Sequence, residues 1–257
     1  MKEESNKRNG VYIIPSLLTA ANLFCGFYAI VSVLNSESNT AYVTAAIAIL
    51  IAMLFDGFDG KIARLTNSTS RFGVEFDSLS DLVSFGVAPG LLIYKWGLHG
   101  YGKIGWLAVF LFVVCGAMRL ARFNVQSAVS DKKYFLGLPI PAAAGLIVTT
   151  VIFDIHILEM GKEVRPLVVL IITYLLAYLM VSTIKFRSFK DVHLVERKPL
   201  SALVAAVLIL IVIVAKPQLM LFVLFVLYAS SGPVEKLLVP VSKLVKRKAH
   251  EPGVHKG

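Results

Sequence analysis

Four aspartates, Asp56, Asp59, Asp77 and Asp81, stand in or beside stretches that are otherwise apolar. The chain reads Asp56-Gly57-Phe58-Asp59-Gly60-Lys61-Ile62-Ala63-Arg64 and, after a short polar turn, Gly73-Val74-Glu75-Phe76-Asp77-Ser78-Leu79-Ser80-Asp81. On a helix at about 100° per residue, Asp59, Gly60, Ala63 and Arg64 fall within about 80° of Asp56. The same geometry puts Asp81 about 40° to one side of Asp77 and Gly73 about 40° to the other, with Glu75 pointing about 160° away. The short link makes the two helices antiparallel neighbours whose acidic faces can meet. Ionised carboxylates this close need a positive charge among them. Oxygen ligands with no His or Cys in the cluster favour Mg2+ or Mn2+, with Ca2+ also compatible, over zinc. A Mg2+ site of this kind completes its shell with water and substrate phosphate. Arg64 adds a planar fork for phosphate oxygens, and Gly60, Ala63 and Gly73 leave room for a ligand. The chemistry indicated is phosphoryl-group transfer. Aspartates at helix ends also serve as caps or interfacial charges, and a single Asp-x-x-Asp would carry little. Four of them on matched faces, with two glycines and an arginine, weigh against that plainer account.

The elements that must hold these residues are membrane helices. Of 257 residues, 57% are hydrophobic and 16% charged, and the mean hydropathy is +0.75. A soluble domain is about 45–50% apolar and about 25% charged, so this chain needs lipid to cover its surface. Disordered, collagen-like and disulfide-scaffold classes are excluded on composition. A span takes about 20 apolar residues, and eight such stretches are expected near 14–34, 41–60, 74–95, 104–123, 138–158, 166–184, 200–215 and 217–234. Lys95, Lys103, Lys162, Arg165 and Lys216 are the only basic residues on one side of this arrangement, leaving 21 of the 26 on the other. The basic side marks the cytoplasm, so both termini are expected there, in a multi-pass protein of the cell membrane. The segments 185–190 and 243–248 interleave basic and apolar residues, a pattern suited to an anionic leaflet and not read as a nucleic-acid contact. Cys25 and Cys115 offer no disulfide framework, and bulky Phe24 argues against lipidation at Cys25. Intramembrane acids also serve ion-coupled transporters, but such sites lie near the midplane, whereas these aspartates fall at the cytoplasmic ends of the second and third spans.

The pattern Asp56-x-x-Asp59-Gly60-x-x-Ala63-Arg64, eight residues, Gly73-x-x-x-Asp77-x-x-x-Asp81 resembles the signature of the CDP-alcohol phosphotransferase family at every defining position. Three further stretches, 15–26, 119–124 and 135–143, resemble its phosphatidylserine synthase branch. The resemblance implies an all-α polytopic fold: a six-helix core over about 14–184, two extra helices over about 200–234 and a basic tail at 235–257, together one catalytic domain. It implies transfer of a phosphatidyl group from CDP-diacylglycerol to the hydroxyl of L-serine with release of CMP, in a homodimer that uses Mg2+ or Mn2+. Glycerol phosphate, inositol phosphate or choline as acceptor, or an ether-lipid donor, would use the same chemistry. On this resemblance Asp56, Asp59, Asp77 and Asp81 ligate metal, with Asp81 alternatively the general base on the serine hydroxyl. Gly60, Ala63, Arg64 and Gly73 receive the CDP-diacylglycerol. Thr19 and Asn22 either line that pocket or bond helix to helix. Arg119, Arg122 and Asn124 are candidates to hold the serine carboxylate, with Lys132, Lys133 and Tyr134 weaker ones.

Overall fold

In hydrocarbon, backbone polar groups must be satisfied within the chain, so apolar stretches of these lengths fold as helices. The computed structural model describes residues 2–66, 68, 70–127, 134–159, 164–187 and 216–248. The element order is α1 (Lys2–Asn35), α2 (Asn39–Leu65), α3 (Arg71–Tyr101), α4 (Lys103–Ser127), β1 (Tyr134–Leu136), α5 (Ile140–Leu158), α6 (Val164–Val181), β2 (Lys185–Arg187) and α7 (Pro217–Lys248). Among the described residues six helices are long and apolar enough to cross a membrane, and the helix over Arg165–Val181 is apolar but shorter. The seventh expected stretch, 200–215, lies outside the described residues.

The differences in boundary have local causes. Ser70 caps α3 by accepting a hydrogen bond from Gly73 N at 3.0 Å, so the helix starts at Arg71 and not at 74. The α2 helix runs on to Leu65, which keeps Asp56 through Arg64 on one rod. Cys25 lies mid-span in α1, and the helix continues unbroken through it. Within α3 the turns over Leu82–Val87 and Tyr94–Leu98 are π-helical, the first beginning directly after Asp81. An antiparallel pair of strands was not expected from the sequence: Phe135 pairs with Phe186, flanked by Tyr134 with Arg187 and Leu136 with Lys185. Three residues are too few for a period-2 pattern to show. Gly137 follows β1 at φ 80, where a Cβ would meet the Met180 carbonyl, so the turn there requires glycine.

Small residues let the helices pack closely. Ala45, Ala46, Ala48 and Ala52 of α2 and Ala142, Ala143 and Ala144 of α5 are buried, as expected where lipid gives no drive beyond close packing. Leu17, Phe24, Leu54 and Phe58 remain exposed and face where lipid would lie. At the end of the bundle away from the aspartates, Lys95 pairs with Glu37 at 2.8 Å. Asp154 pairs with Arg165 at 3.1 Å, and the Arg165 guanidinium lies 5.1 Å from the centre of the Trp96 ring. The hydrogen bond and charge of Lys95 hold the Glu37 carboxyl below its ordinary value.

Candidate active site

Helices α1, α2 and α3 build the site, and hydroxyls and one amide bolt them together. Ser80 Oγ donates to Thr19 O and Ser84 Oγ donates to Asn22 O, both at 3.0 Å. These two bonds fix the register of α3 on α1. Gly26, one turn beyond Asn22, allows the approach: a Cβ there would sit 2.6 Å from Ser84 Cα.

On this scaffold the carboxylates converge as the helical spacing predicts. Asp56, Asp59 and Asp77 each present an oxygen within 4.8 Å of the other two. Asp59 is 4% exposed, and its Oδ2 accepts a 2.8 Å hydrogen bond from Thr19 Oγ1. Asp77 Oδ1 is buried with no hydrogen-bond partner. An orphaned carboxylate oxygen facing two further carboxylates is the donor set that a hard divalent cation fits. Asp81 stands apart from the trio. It is 7% exposed and accepts a 3.1 Å bond from Nδ2 of Asn22, which is itself fully buried. Glu75 is exposed, pointing away as its helical angle requires.

A cleft of about 300 Å³ reaches two of the trio, Asp59 and Asp77, and is lined besides by Thr19, Gly60, Ala63, Arg64 and Gly73. Every small residue singled out by spacing is on this wall. A Cβ on Gly60 would meet only Arg64 Nη2, at 4.0 Å, so the wall is open there. Ser16, Ser68 and Ser70 also line the cleft and were missed, because a lone serine, whether in α1 or in the polar turn before α3, carries no periodic signal. Ser70 lies at the N-terminus of α3, where free N–H groups and the helix dipole favour anions. Of the two α1 residues, Thr19 both lines the cleft and bonds α2, whereas Asn22 serves Asp81 and is not on the cleft wall.

The three candidates on α4 have different surroundings. Arg119 is 9% exposed and rests over the Phe123 ring at 5.4 Å. No ion pair among the described residues includes it. Its charge interacts with Asp81 and Asp56. Arg122 Nη1 instead reaches the carbonyls of Val181 and Ser182, at 3.4 and 3.5 Å, and so secures the end of α6. Asn124 Nδ2 donates to Ser78 Oγ at 2.9 Å, joining α4 to α3. Lys132 and Lys133 lie outside the described residues, and Tyr134 is in β1.

Comparison with known proteins agrees with this geometry. The sequence profile of the CDP-alcohol phosphatidyltransferase family matches residues 12–183. A Helicobacter pylori protein named CDP-diacylglycerol–serine O-phosphatidyltransferase is 44% identical over 186 residues, covering 72% of this chain and 76% of its own. A Bacillus subtilis protein of the same name is 38% identical over 177 residues, 69% of this chain and 91% of its own. A Saccharomyces cerevisiae protein of that name is 43% identical over 140 residues, about half of each chain. With the aspartate motif in place on facing helices and the match running through all but the C-terminal part, the chain belongs to the CDP-alcohol phosphatidyltransferase family.

Proposed function

We propose that this membrane enzyme transfers the phosphatidyl group of CDP-diacylglycerol to the hydroxyl of L-serine, forming phosphatidylserine and releasing CMP. One observation carries the reading: the carboxylate oxygens of Asp56, Asp59 and Asp77 lie within 4.8 Å of one another, and two of these residues, Asp59 and Asp77, line a cleft together with Gly60, Ala63, Gly73 and Arg64. The similarity to proteins named for this reaction supplies serine as the acceptor.

Asp56, Asp59 and Asp77 would hold a divalent cation, Mg2+ or Mn2+ by ligand type. When bound, it supplies Lewis-acid neutralisation of the diphosphate. Gly60, Ala63 and Gly73 admit the nucleotide close to the helix backbones. Arg64 and the N-terminus of α3 neutralise phosphate charge as CMP leaves. Asp81, kept off the trio by its bond to Asn22, takes the proton from the serine hydroxyl. Arg119, a buried cation without an ion-pair partner among the described residues, grips the serine carboxylate on the Asp81 side. Arg122 and Asn124, engaged with α6 and α3, hold that wall in place. The cleft faces the cytoplasm, with both termini on that side, because 21 of the 26 basic residues fall there. The chain acts as one catalytic unit that pairs with a second copy in the membrane.

The test is CMP release from CDP-diacylglycerol by the purified chain with metal and a panel of alcohols. Release with serine that stops on chelation and returns with Mg2+ or Mn2+ is expected. Release with glycerol phosphate, inositol phosphate or choline but not with serine would overturn the acceptor. No release with any alcohol, together with ion-driven uptake in vesicles, would replace the enzyme with a transporter.

A further inference from the structure

The residues between Arg64 and Gly73 hold no defining position of the aspartate pattern, yet one of them, Ser68, is only 5% exposed and lines the cleft. Ser68 N donates to Ala63 O at 3.0 Å, which folds the turn back over the C-terminal end of α2. The cleft is graded along its length. Asp59 and Asp77 stand at one end, and Ala63 and Gly73 lie four residues from them, about 6 Å along α2 and α3 towards Ser68. Pro15, four residues before Thr19 on α1, and Val74 add apolar cover at the same end. A nucleotide whose phosphates meet the carboxylates therefore brings its base to the Ser68 end, because the sugar lies between the two.

The hydrogen bonding of Ser68 has a fixed polarity. Its Oγ lies 2.7 Å from Thr66 Oγ1, and Thr66 Oγ1 donates to Ile62 O, also at 2.7 Å. A carbonyl has no proton to give and a hydroxyl has one. The threonine proton is thus committed to Ile62, and the proton between the two hydroxyls comes from Ser68. What Ser68 then offers the cleft is lone pairs alone. Such an oxygen accepts from an amino group and repels a carbonyl, and cytosine carries an amine where uracil carries a carbonyl oxygen. We propose that Ser68 determines base specificity by accepting a hydrogen bond from the exocyclic amine of cytosine, so that the turn selects a cytidine over a uridine diphosphate lipid. The inference rests on the reading of this cleft as the donor site and names the atom that reads the donor's base. Thr66, itself exposed, sets the polarity from outside the cleft.

The test measures binding of CMP, UMP and deoxy-CMP to the full chain in detergent with Mg2+, by calorimetry, in the parent, Ser68→Ala and Thr66→Val. The parent should bind CMP about tenfold or more tighter than UMP, the scale of one hydrogen bond exchanged for two facing acceptors. Ser68→Ala should weaken CMP about 3–10-fold and leave UMP no weaker, so that the preference falls to about threefold or less. Thr66→Val removes the oxygen that takes the Ser68 proton, and the freed hydroxyl turns to donate, so UMP should bind more tightly than in the parent. A parent that binds CMP and UMP equally, while releasing CMP with serine, overturns the role of Ser68 and leaves the donor site standing. Binding of none of the three nucleotides, by a chain that also releases no CMP, overturns the donor site itself. A preference for CMP over deoxy-CMP that drops in Ser68→Ala, with CMP against UMP unmoved, gives the oxygen to a ribose hydroxyl and overturns the proposal. Equal weakening of all three nucleotides in both variants marks a merely structural turn and also overturns it.

Discussion

Replacing Gly26 by alanine tests whether the α1–α3 contact sets the geometry of the carboxylates. The new Cβ would lie 2.6 Å from Ser84 Cα and 2.8 Å from Ser84 Cβ, whereas carbon atoms rest at about 3.5–4.0 Å. Backbone cannot swing aside like a side-chain tip, so α1 and α3 must part by about 1 Å. The neighbouring bonds, Ser84 Oγ to Asn22 O at 3.0 Å and Asn22 Nδ2 to Asp81 Oδ1 at 3.1 Å, would then stretch to about 4 Å, beyond hydrogen-bond range. Overpacking of this kind costs about 1–3 kcal/mol of stability. A displacement of about 1 Å at a catalytic group can cost about 10²-fold in rate. Gly26→Ala should therefore lower the thermal midpoint in detergent and reduce CMP release by about 10–10²-fold. Gly100→Ala is the control, because a Cβ there meets nothing within 4 Å. Wild-type turnover and melting in Gly26→Ala would refute the reasoning, since the two helices would then not be in the contact that holds Asn22 on Asp81.

Asp81→Asn removes the proposed base and leaves the trio intact, so nucleotide binding by calorimetry should survive while turnover falls by at least ~10²-fold; near-normal turnover would take Asp81 out of the chemistry. Ala63→Leu adds bulk to the cleft wall, and donor KM should rise about tenfold or more with serine KM unmoved, as read from the same release assay. Glu37 is the carboxyl outside the spans that its partner holds low. Its contribution is present above the usual value of about 4.3 and is lost as pH falls through the lower folded value. Melting scans should show that Glu37→Gln differs from the parent above that window and converges with it in stronger acid.

Much of the site was legible because a helix converts spacing into direction. Asp56 to Arg64 shares a face by arithmetic alone, and the short polar turn before Gly73 forces the next helix back alongside. The exposed Glu75 follows the same arithmetic. Residues whose roles depend on a neighbour at a distance in sequence were less legible. Ser80 and Ser84 read as ordinary polar residues until α1 presents the carbonyls of Thr19 and Asn22 to them. Arg122 and Asn124 looked alike with Arg119 as candidates for serine, yet two of them are occupied with α6 and α3.

The sequence by itself determined the class of protein, the membrane helices and the four aspartates with their company of glycine, alanine and arginine, because hydropathy and the helical repeat are local properties. Only the tertiary structure decided that three carboxylates meet while the fourth is drawn aside by Asn22. It also decided that Arg119 stays buried without a salt bridge among the described residues, and that Gly232 seats α7 against Phe186 of β2. Those outcomes depend on which helices touch, and contact between distant segments is settled by packing of small residues such as Gly26 and Gly232, whose effect no local pattern displays.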